Sequence, residues 1–167
     1  MLALHAANVP CVVVPGLSSA LAVPGLANVP VTHKNVSAGF TVLSGHDACR
    51  GPEWSQLPHV AHPASTLVVL MIAKNLSLIT EFLLCTLGWN RLLPARLVQN
   101  GSTPGQRIVS AALGDMAAQA ETEKVTEAPL ILIVGDSCAL FSPPNLALTK
   151  PEVGSLLKTE WGKLGNI

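Results

Sequence analysis

Residues 66–88, TLVVLMIAKNLSLITEFLLCTLG, decide the fold that we predict for this chain. The segment opens with Thr66 to Met71, a short apolar run with several β-branched side chains, which predicts a buried strand. Asn75 follows, and after it apolar residues recur at helical spacing up to Gly88, which predicts a helix capped by Asn75. A buried strand followed directly by a helix is typical of an α/β sheet.

The same alternation continues on both sides of this segment. Predicted strands cover residues 10–14 (PCVVV), 40–44, 95–98, 106–110 and 129–134. One predicted helix begins after Ser18 and Ser19 and is interrupted at Pro24, and another covers residues 113–120. Several of these strands are apolar throughout, which is typical of strands that are buried on both faces. The sequence therefore predicts an α/β fold with helices on both faces of the sheet.

Composition narrows the classes of protein to consider. The chain has 167 residues, enough for one ordinary domain, and 49% of them are hydrophobic. Its 10 basic and 10 acidic residues are only 12% of the chain, the formal net charge is zero, and the mean hydropathy is +0.46. These values exclude a disordered polar tail, and they argue against a protein that binds the phosphate backbone of nucleic acid.

The start of the chain and the cysteines bear on its compartment. No charged residue precedes Lys34, but prolines interrupt this stretch and it lacks the basic region that opens a signal peptide. We therefore expect a cytoplasmic protein with no membrane segment. The cysteines at positions 11, 49, 85 and 138 lie far apart, which predicts buried free thiols and no disulfide framework.

Two groups of residues leave a chemistry open. His46-x-x-Cys49 and His59-x-x-His62 offer ligand types that bind zinc, but the neighbouring prolines favour a solvated loop equally well. Gly135-Asp136-Ser137 follows a predicted strand, where a serine can be a nucleophile. The G-x-S-x-G elbow is absent, however, and an ordinary turn at the end of a strand accounts for the same residues.

Two loops combine glycine with small hydroxyl side chains. They are residues 13–20 (VVPGLSSA) and 99–107 (QNGSTPGQR), and the second has no lysine after its last glycine, as a phosphate-binding loop would. If the sheet is parallel there, both loops and Met71 converge at the carboxyl ends of strands, where α/β proteins bind ligands. The alternative is that each loop only connects its neighbours.

Five motifs in order carry a resemblance to a known family. They are VVPGLSSALAVPGLANVPVTHK (13–34), TLVVLMIAKNL (66–76), LVQNGSTPGQR (97–107), LGDM (113–116) and PLILIVGD (129–136). Together they resemble the tetrapyrrole methylase family over about residues 5–140. The block PVTHK (30–34) resembles the uroporphyrinogen-III C-methyltransferases within that family.

This resemblance implies an S-adenosylmethionine-dependent enzyme whose substrate is uroporphyrinogen III. Two ring carbons would be methylated to give precorrin-2, which leads to sirohaem and cobalamin. The family fold implies two α/β domains, a mixed sheet with helices on both faces, the cofactor in the cleft between the domains, and a homodimer. It implies no metal, and the sequence singles out no catalytic residue.

Site residues follow from matching the family motifs position by position. The match assigns cofactor binding to Ser18, Ser19, Met71 and Gly101, and substrate binding to His33 and Lys34. A sulfonium methyl group is already activated, so its transfer needs alignment more than a covalent nucleophile. Cations suit a substrate that carries many carboxylates. Ile72 stands where the family has a glycine, and we expect its branched side chain to crowd the pocket.

The resemblance also predicts how the chain is organised. Because its start matches the beginning of the family's second half, we expect an N-terminal domain that is largely missing. Residues 1–34 would then be the end of that domain with a hinge strand and crossover, 35–140 the C-terminal methylase domain, and 141–167 an irregular tail. Such a truncated chain would be weak or inactive alone. The alternative is a non-catalytic remnant that dimerises or binds a ligand.

Overall fold

A computed structural model describes residues 1–50, 54–57, 61–62 and 64–143. Its centre is a five-stranded mixed sheet of order β1-β2-β5-β3-β4. The strands are β1 (Phe40–Ser44), β2 (Thr66–Leu70), β3 (Pro94–Gln99), β4 (Arg107–Ala112) and β5 (Leu130–Val134). β1 pairs parallel with β2, and β5 pairs antiparallel with both β2 and β3. β1, β2 and β3 therefore run in one direction and end at the same edge of the sheet.

Three helices lie close to their predicted positions, and a short one at the start of the chain was not predicted. They are α1 (Leu2–Ala6), α2 (Ser19–Leu26), α3 (Leu76–Glu81) with a π-helical turn (Phe82–Thr86), and α4 (Met116–Thr122), and a 3-10 turn (Asp136–Ala139) follows β5. Ser18 caps α2 as predicted, because its hydroxyl accepts a hydrogen bond from the backbone N–H of Ala20 at 3.2 Å. Pro24 lies inside α2 and does not interrupt it. Asn75 holds the N-cap position of α3, but its side chain makes no cap hydrogen bond.

Two apolar clusters cover the two faces of the sheet. Alternate residues of a strand point to opposite faces. Leu67 and Val69 of β2 accordingly join the larger cluster with α3 and α4, whereas Val68 joins the smaller cluster with Val23 of α2. The continuous apolar strands are explained by this double coverage, and the predicted α/β fold with a mixed sheet and helices on both faces is confirmed.

The predicted buried strand at residues 10–14 is wrong. This segment forms no strand in the described structure, and Val12 and Val14 are 89% and 86% exposed. A strand needs a neighbour that accepts and donates its backbone hydrogen bonds. No described strand of this chain pairs with residues 10–14, so the segment has the composition of a strand without the contacts of one.

The cysteines also differ from the prediction in part. All four are free, as expected, but Cys11 and Cys85 are exposed and Cys49 is half-buried. Only Cys138 is fully buried, and burial raises the pKa of its thiol to about 12. A thiol held in its neutral form is a poor nucleophile, so Cys138 packs as a small hydrophobic side chain.

Two further expectations concern the ends of the chain. The tail, predicted over 141–167, lies outside the described residues beyond residue 143, and the division at residue 34 stays a prediction. In the described part of the chain, no helix combines the length and the hydropathy that a membrane span requires.

Candidate functional site

A cavity of about 650 Å³ lies where β1, β2 and β3 end. Its volume falls in the range of ordinary small-molecule sites. The start of α2, the ends of β2 and β3, and the start of β5 supply its walls. The lining residues are Ser19, Val23, His46, Leu70, Met71, Ala73, Lys74, Asn75, Val98, Gly101, Ala128, Pro129, Leu130 and Ile131. The walls are mostly apolar, and the polar side chains are few.

Three of the four residues matched to cofactor binding line this one cavity. They are Ser19, Met71 and Gly101, which come from three separate parts of the sequence. Ser18 does not line the cavity, and its hydroxyl caps α2 instead. The expected convergence of the two glycine loops and Met71 is therefore present. Residues 13–20 reach the cavity through the start of a helix, however, and not through the end of a strand.

Met71 has an uncommon backbone conformation. Its φ angle is +55°, in the left-handed region that side chains other than Asn and Asp rarely adopt, and its side chain is 59% exposed. Ile72 turns the opposite way and is fully buried in the larger core cluster, away from the cavity lining. The expected crowding of the pocket by Ile72 is therefore not seen, because this side chain does not point into it. The left-handed backbone conformation of Met71 is of a kind that concentrates at functional sites.

Gly101 lets the β3–β4 connection approach α2. A Cβ atom at position 101 would lie 2.7 and 2.8 Å from the two methyl carbons of Val23, closer than real Cβ atoms approach. Gly105, in the same connection, has only ordinary contacts at 3.8 Å around its Cβ position. The backbone of this loop therefore comes close to α2 at Gly101 and not at Gly105.

Side chains of the β3–β4 connection stabilise the loop itself. Thr103 Oγ1 donates to the carbonyl of Asn100 at 2.8 Å and accepts from the N–H of Gly105 at 3.2 Å. The N–H of Ser102 donates to the side-chain oxygen of Gln106 at 2.9 Å. These bonds hold Gly101 in place beside the cavity, and they occupy the hydroxyl of Thr103 within the loop.

Basic side chains lie on one side of the cavity. His46 follows β1 and Lys74 follows β2, and both line it. Asn75 Nδ2 joins the two connections, because it donates to the carbonyl of Gly45 at 2.6 Å and to that of His46 at 3.0 Å. The Asn75 amide is therefore held by the β1 side of the cavity, and its oxygen makes no cap hydrogen bond to α3.

His33 and Lys34 lie elsewhere. They belong to a tight turn in which the backbone of His33 exchanges two hydrogen bonds with Ser37, both at 2.9 Å. The turn lines an open depression of about 640 Å³ formed by residues 32–38 and Ala64. The residues matched to the substrate therefore do not line the cavity that Ser19, Met71 and Gly101 share.

The zinc alternative finds no support in the described residues. No group of three or more His, Cys, Asp or Glu side chains comes together there. His46 lines the cavity, whereas Cys49 packs against the larger core cluster and burial raises the pKa of its thiol. His59 of the second pair lies outside the described residues.

Ser137 has a structural role and not that of a nucleophile. It is fully buried, and its hydroxyl lies 2.8 Å from Thr66 Oγ1, which in turn lies 3.0 Å from Ser37 Oγ. Ser37 then donates to the carbonyl of Gly39 at 2.9 Å. This chain of hydroxyl groups ties the end of β5 to β2 and to the turn before β1, and a substrate cannot reach it.

Replacing Ser137 with alanine should lower the free energy of unfolding by about 1–2 kcal/mol, because Thr66 loses a buried hydrogen-bond partner. Urea denaturation measures the change. Ser110, an exposed serine of β4, provides the control, and Ser110→Ala should stay within about 0.5 kcal/mol of the parent chain. A Ser137→Ala chain with unchanged stability would contradict this role.

Known proteins of one family are similar to this chain. The family model for Tetrapyrrole (Corrin/Porphyrin) Methylases matches residues 1–117. The chain belongs to this family. It is 36% identical over 129 residues to the uroporphyrinogen-III C-methyltransferase of Methanocaldococcus jannaschii, which covers 77% of this chain and 52% of that protein. It is also 36% identical over 128 residues to the S-adenosyl-L-methionine-dependent uroporphyrinogen III methyltransferase of Methanosarcina barkeri, covering 74% and 48%.

Solved structures agree with the fold. The uroporphyrin-III C-methyl transferase of Thermus thermophilus, complexed with S-adenyl homocysteine, superimposes with a TM-score of 0.67 at 32% identity. The match covers 84% of this chain and 59% of that one. This chain therefore spans about half the length of the relatives that it matches.

The sequence does not mark several of the lining residues. Val23 belongs to a predicted helix and Val98 and Ile131 to predicted buried strands, and no spacing rule distinguishes a residue that lines a cavity from one that lines a core. His46 and Lys74 did carry a signal. Each follows a predicted strand within a few residues, at the edge where ligands bind, and each is basic in a chain with few charges.

Proposed function

We propose that this chain carries the cofactor-binding region of an S-adenosylmethionine-dependent uroporphyrinogen-III C-methyltransferase. One observation carries the proposal: Ser19, Met71 and Gly101, matched to the family's cofactor positions, line a single cavity at the carboxyl ends of parallel-running strands. Two similar proteins support this cofactor. The Methanosarcina relative is S-adenosyl-L-methionine-dependent, and the Thermus enzyme is complexed with S-adenyl homocysteine, the demethylated product of that cofactor.

The cavity fits such a ligand in size and in chemistry. Apolar side chains of Leu70, Val98 and Ile131 can enclose an adenosine group, and the hydroxyl of Ser19 at the start of α2 can bind one of its polar atoms. The cofactor, when bound, supplies an activated methyl group on a sulfonium sulfur. Among the described lining residues, none offers a thiol or a carboxylate that would compete for this methyl group. The task of the protein is then orientation, with Met71 at the open side of the cavity.

Substrate recognition is the second part of the proposal. His33 and Lys34 would contact carboxylates of uroporphyrinogen III, which receives two methyl groups to become precorrin-2. Lysine supplies the charge without the two-pronged geometry of arginine. The enzyme would be cytoplasmic and a homodimer, with no nucleic acid or membrane as partner. This chain alone would show weak methyl transfer or none.

The second candidate function is a non-catalytic remnant that dimerises or binds a ligand. The exposed apolar side chains of residues 9–17 favour it, since a run of this kind is usually covered by another surface. A monodisperse monomer in light scattering, with normal solubility, would count against dimerisation.

Calorimetric titration of the chain with S-adenosylhomocysteine tests the cofactor proposal. We expect saturable heat at a stoichiometry of about one ligand per chain, whether or not methyl transfer occurs. A parallel assay for precorrin-2 measures activity. No heat at saturating ligand would overturn the proposal for this chain, whereas binding without transfer would support a cofactor region that lacks part of the catalytic unit.

A further inference from the structure

The cavity lined by Ser19, Met71 and Gly101 is basic on the side next to the ends of β1 and β2. Lys74 and His46 are the titratable side chains among the described residues that line it, and no Asp or Glu is present there. Neither residue belongs to the positions matched to the cofactor or to the substrate. In a chain with only 10 lysines and arginines and 5 histidines, a lysine and a histidine at one cavity need an explanation.

The fold holds these two groups in place. Gly45 lies so close to the β2–α3 connection that a Cβ atom there would be 3.0 Å from the carbonyl oxygen of Leu70 and 3.2 Å from Cα of Ile72. The N–H of Gly45 donates to that same carbonyl at 2.6 Å. With the two hydrogen bonds of the Asn75 amide, these contacts fix His46 beside the segment that carries Lys74.

The charge around Lys74 leaves its ammonium group available. Lys74 makes no ion pair with another described residue, and the ion pair found among the described residues joins Arg91 to Asp115. His46 also lines a smaller depression together with Asp47 and Arg50, which bring one carboxylate and one further cation to the same part of the surface. Among the described residues that line the cavity and this depression, Lys74 and Arg50 are permanent cations and Asp47 is the carboxylate, so cations outnumber carboxylates.

We propose that Lys74, assisted by His46, forms a carboxylate-binding subsite on the rim of the cavity. The inference rests on the proposed function, because both ligands of that function carry carboxylates. One source is the amino-acid end of the cofactor, and the other is an acidic side chain of the tetrapyrrole. In either case Lys74 binds and orients, and takes no part in bond formation. A charge-assisted hydrogen bond from an ammonium group to a carboxylate is the interaction expected.

Titration of the whole chain with three ligands separates the two sources. S-adenosylhomocysteine carries the amino-acid carboxylate, 5′-methylthioadenosine has the same nucleoside without it, and uroporphyrin III carries the carboxylates of the tetrapyrrole. Each ligand is titrated into the parent chain, Lys74→Met, Lys74→Arg and the control Lys124→Met. Lys124 is an exposed lysine outside the cavity, and its replacement removes the same charge.

A loss of about five- to tenfold in affinity in Lys74→Met, recovered in Lys74→Arg and absent in Lys124→Met, is the expected result. If it affects S-adenosylhomocysteine but not 5′-methylthioadenosine, the carboxylate is that of the cofactor. If it affects uroporphyrin III alone, it is that of the tetrapyrrole. Equal affinities of Lys74→Met and the parent chain for all three ligands overturn the subsite while the proposed function stands. A parent chain that binds none of the three overturns both.

Discussion

Replacing Gly101 with alanine is expected to weaken binding of S-adenosylhomocysteine by about tenfold and to lower the free energy of unfolding by about 1–3 kcal/mol. The added methyl group would lie within 2.8 Å of both methyl carbons of Val23. Val23 is buried and lies in the middle of α2, where a β-branched side chain has one strongly preferred rotamer. It cannot rotate away, so either α2 or the loop must move.

Movement of α2 affects the site directly. Ser19 at its start and Val23 one turn later both line the cavity, so a displaced helix changes two walls at once. Calorimetric titration measures the affinity, and thermal or urea unfolding measures the stability independently of any ligand.

Two matched variants isolate the contact. Gly105→Ala lies in the same loop with ordinary contacts only, and it should stay within about 0.5 kcal/mol of the parent chain in stability and bind equally well. Val23→Ala removes the two methyl carbons that collide, so the double variant Gly101→Ala/Val23→Ala should bind more tightly than Gly101→Ala alone. A Gly101→Ala chain that resembles Gly105→Ala would show that α2 does not need this close approach.

The elements of the fold could be predicted because the signals are local. β5 is apolar throughout and β2 is apolar after Thr66, because both strands are buried on both faces, so they are recognisable without knowledge of their partners. The helix after Asn75 was recognisable from its spacing. The π-helical turn that ends it was not, since nothing in residues 82–86 distinguishes the wider turn from an α-helix.

Contacts between distant segments could not be predicted in the same way. The segment 10–14 has the composition of a strand, but a strand also needs a neighbour, and composition does not reveal whether one is present. Asn75 makes hydrogen bonds to Gly45 and His46 and no helix cap, and those bonds depend on β1 lying beside β2. The ordered motifs identify the family-matched residues in the sequence. Only the fold shows that Ser19, Met71 and Gly101 line the same cavity.

Arg96 carries the other large expected effect. It lies in β3 and is only 2% exposed, with no acidic partner among the described residues. Its guanidinium donates to the carbonyl of Ala27, at the C-terminal end of α2, and to the carbonyl of Phe141, after the 3-10 turn. Burial lowers the pKa of Arg96, because removing water disfavours the charged form.

Arg96→Met should lower the free energy of unfolding by about 2–4 kcal/mol. The desolvation cost of a buried cation acts in the opposite direction, and replacing a buried ion pair by apolar groups is sometimes neutral. Here the acceptors are backbone carbonyls that stay in place when the guanidinium is removed, and that of Ala27 belongs to a fully buried residue. Nε of Arg96 is buried without a partner, which adds to the gain from removing the side chain, but we expect the cost of two unpaired carbonyls to be larger.

Urea denaturation measures the loss, and Arg91→Met is its control. Arg91 is largely exposed and pairs with Asp115 at 3.8 Å, so its replacement should cost less than about 1 kcal/mol. Hydrogen exchange locates the effect: amide protons of α2 should exchange faster in Arg96→Met, while those of α4 on the opposite face change only with global stability. Because α2 supplies Ser19 and Val23 to the cavity, affinity for S-adenosylhomocysteine should fall with it. An Arg96→Met chain as stable as the parent would show that the carbonyls find other donors, and that α2 is held on the sheet by its apolar contacts alone.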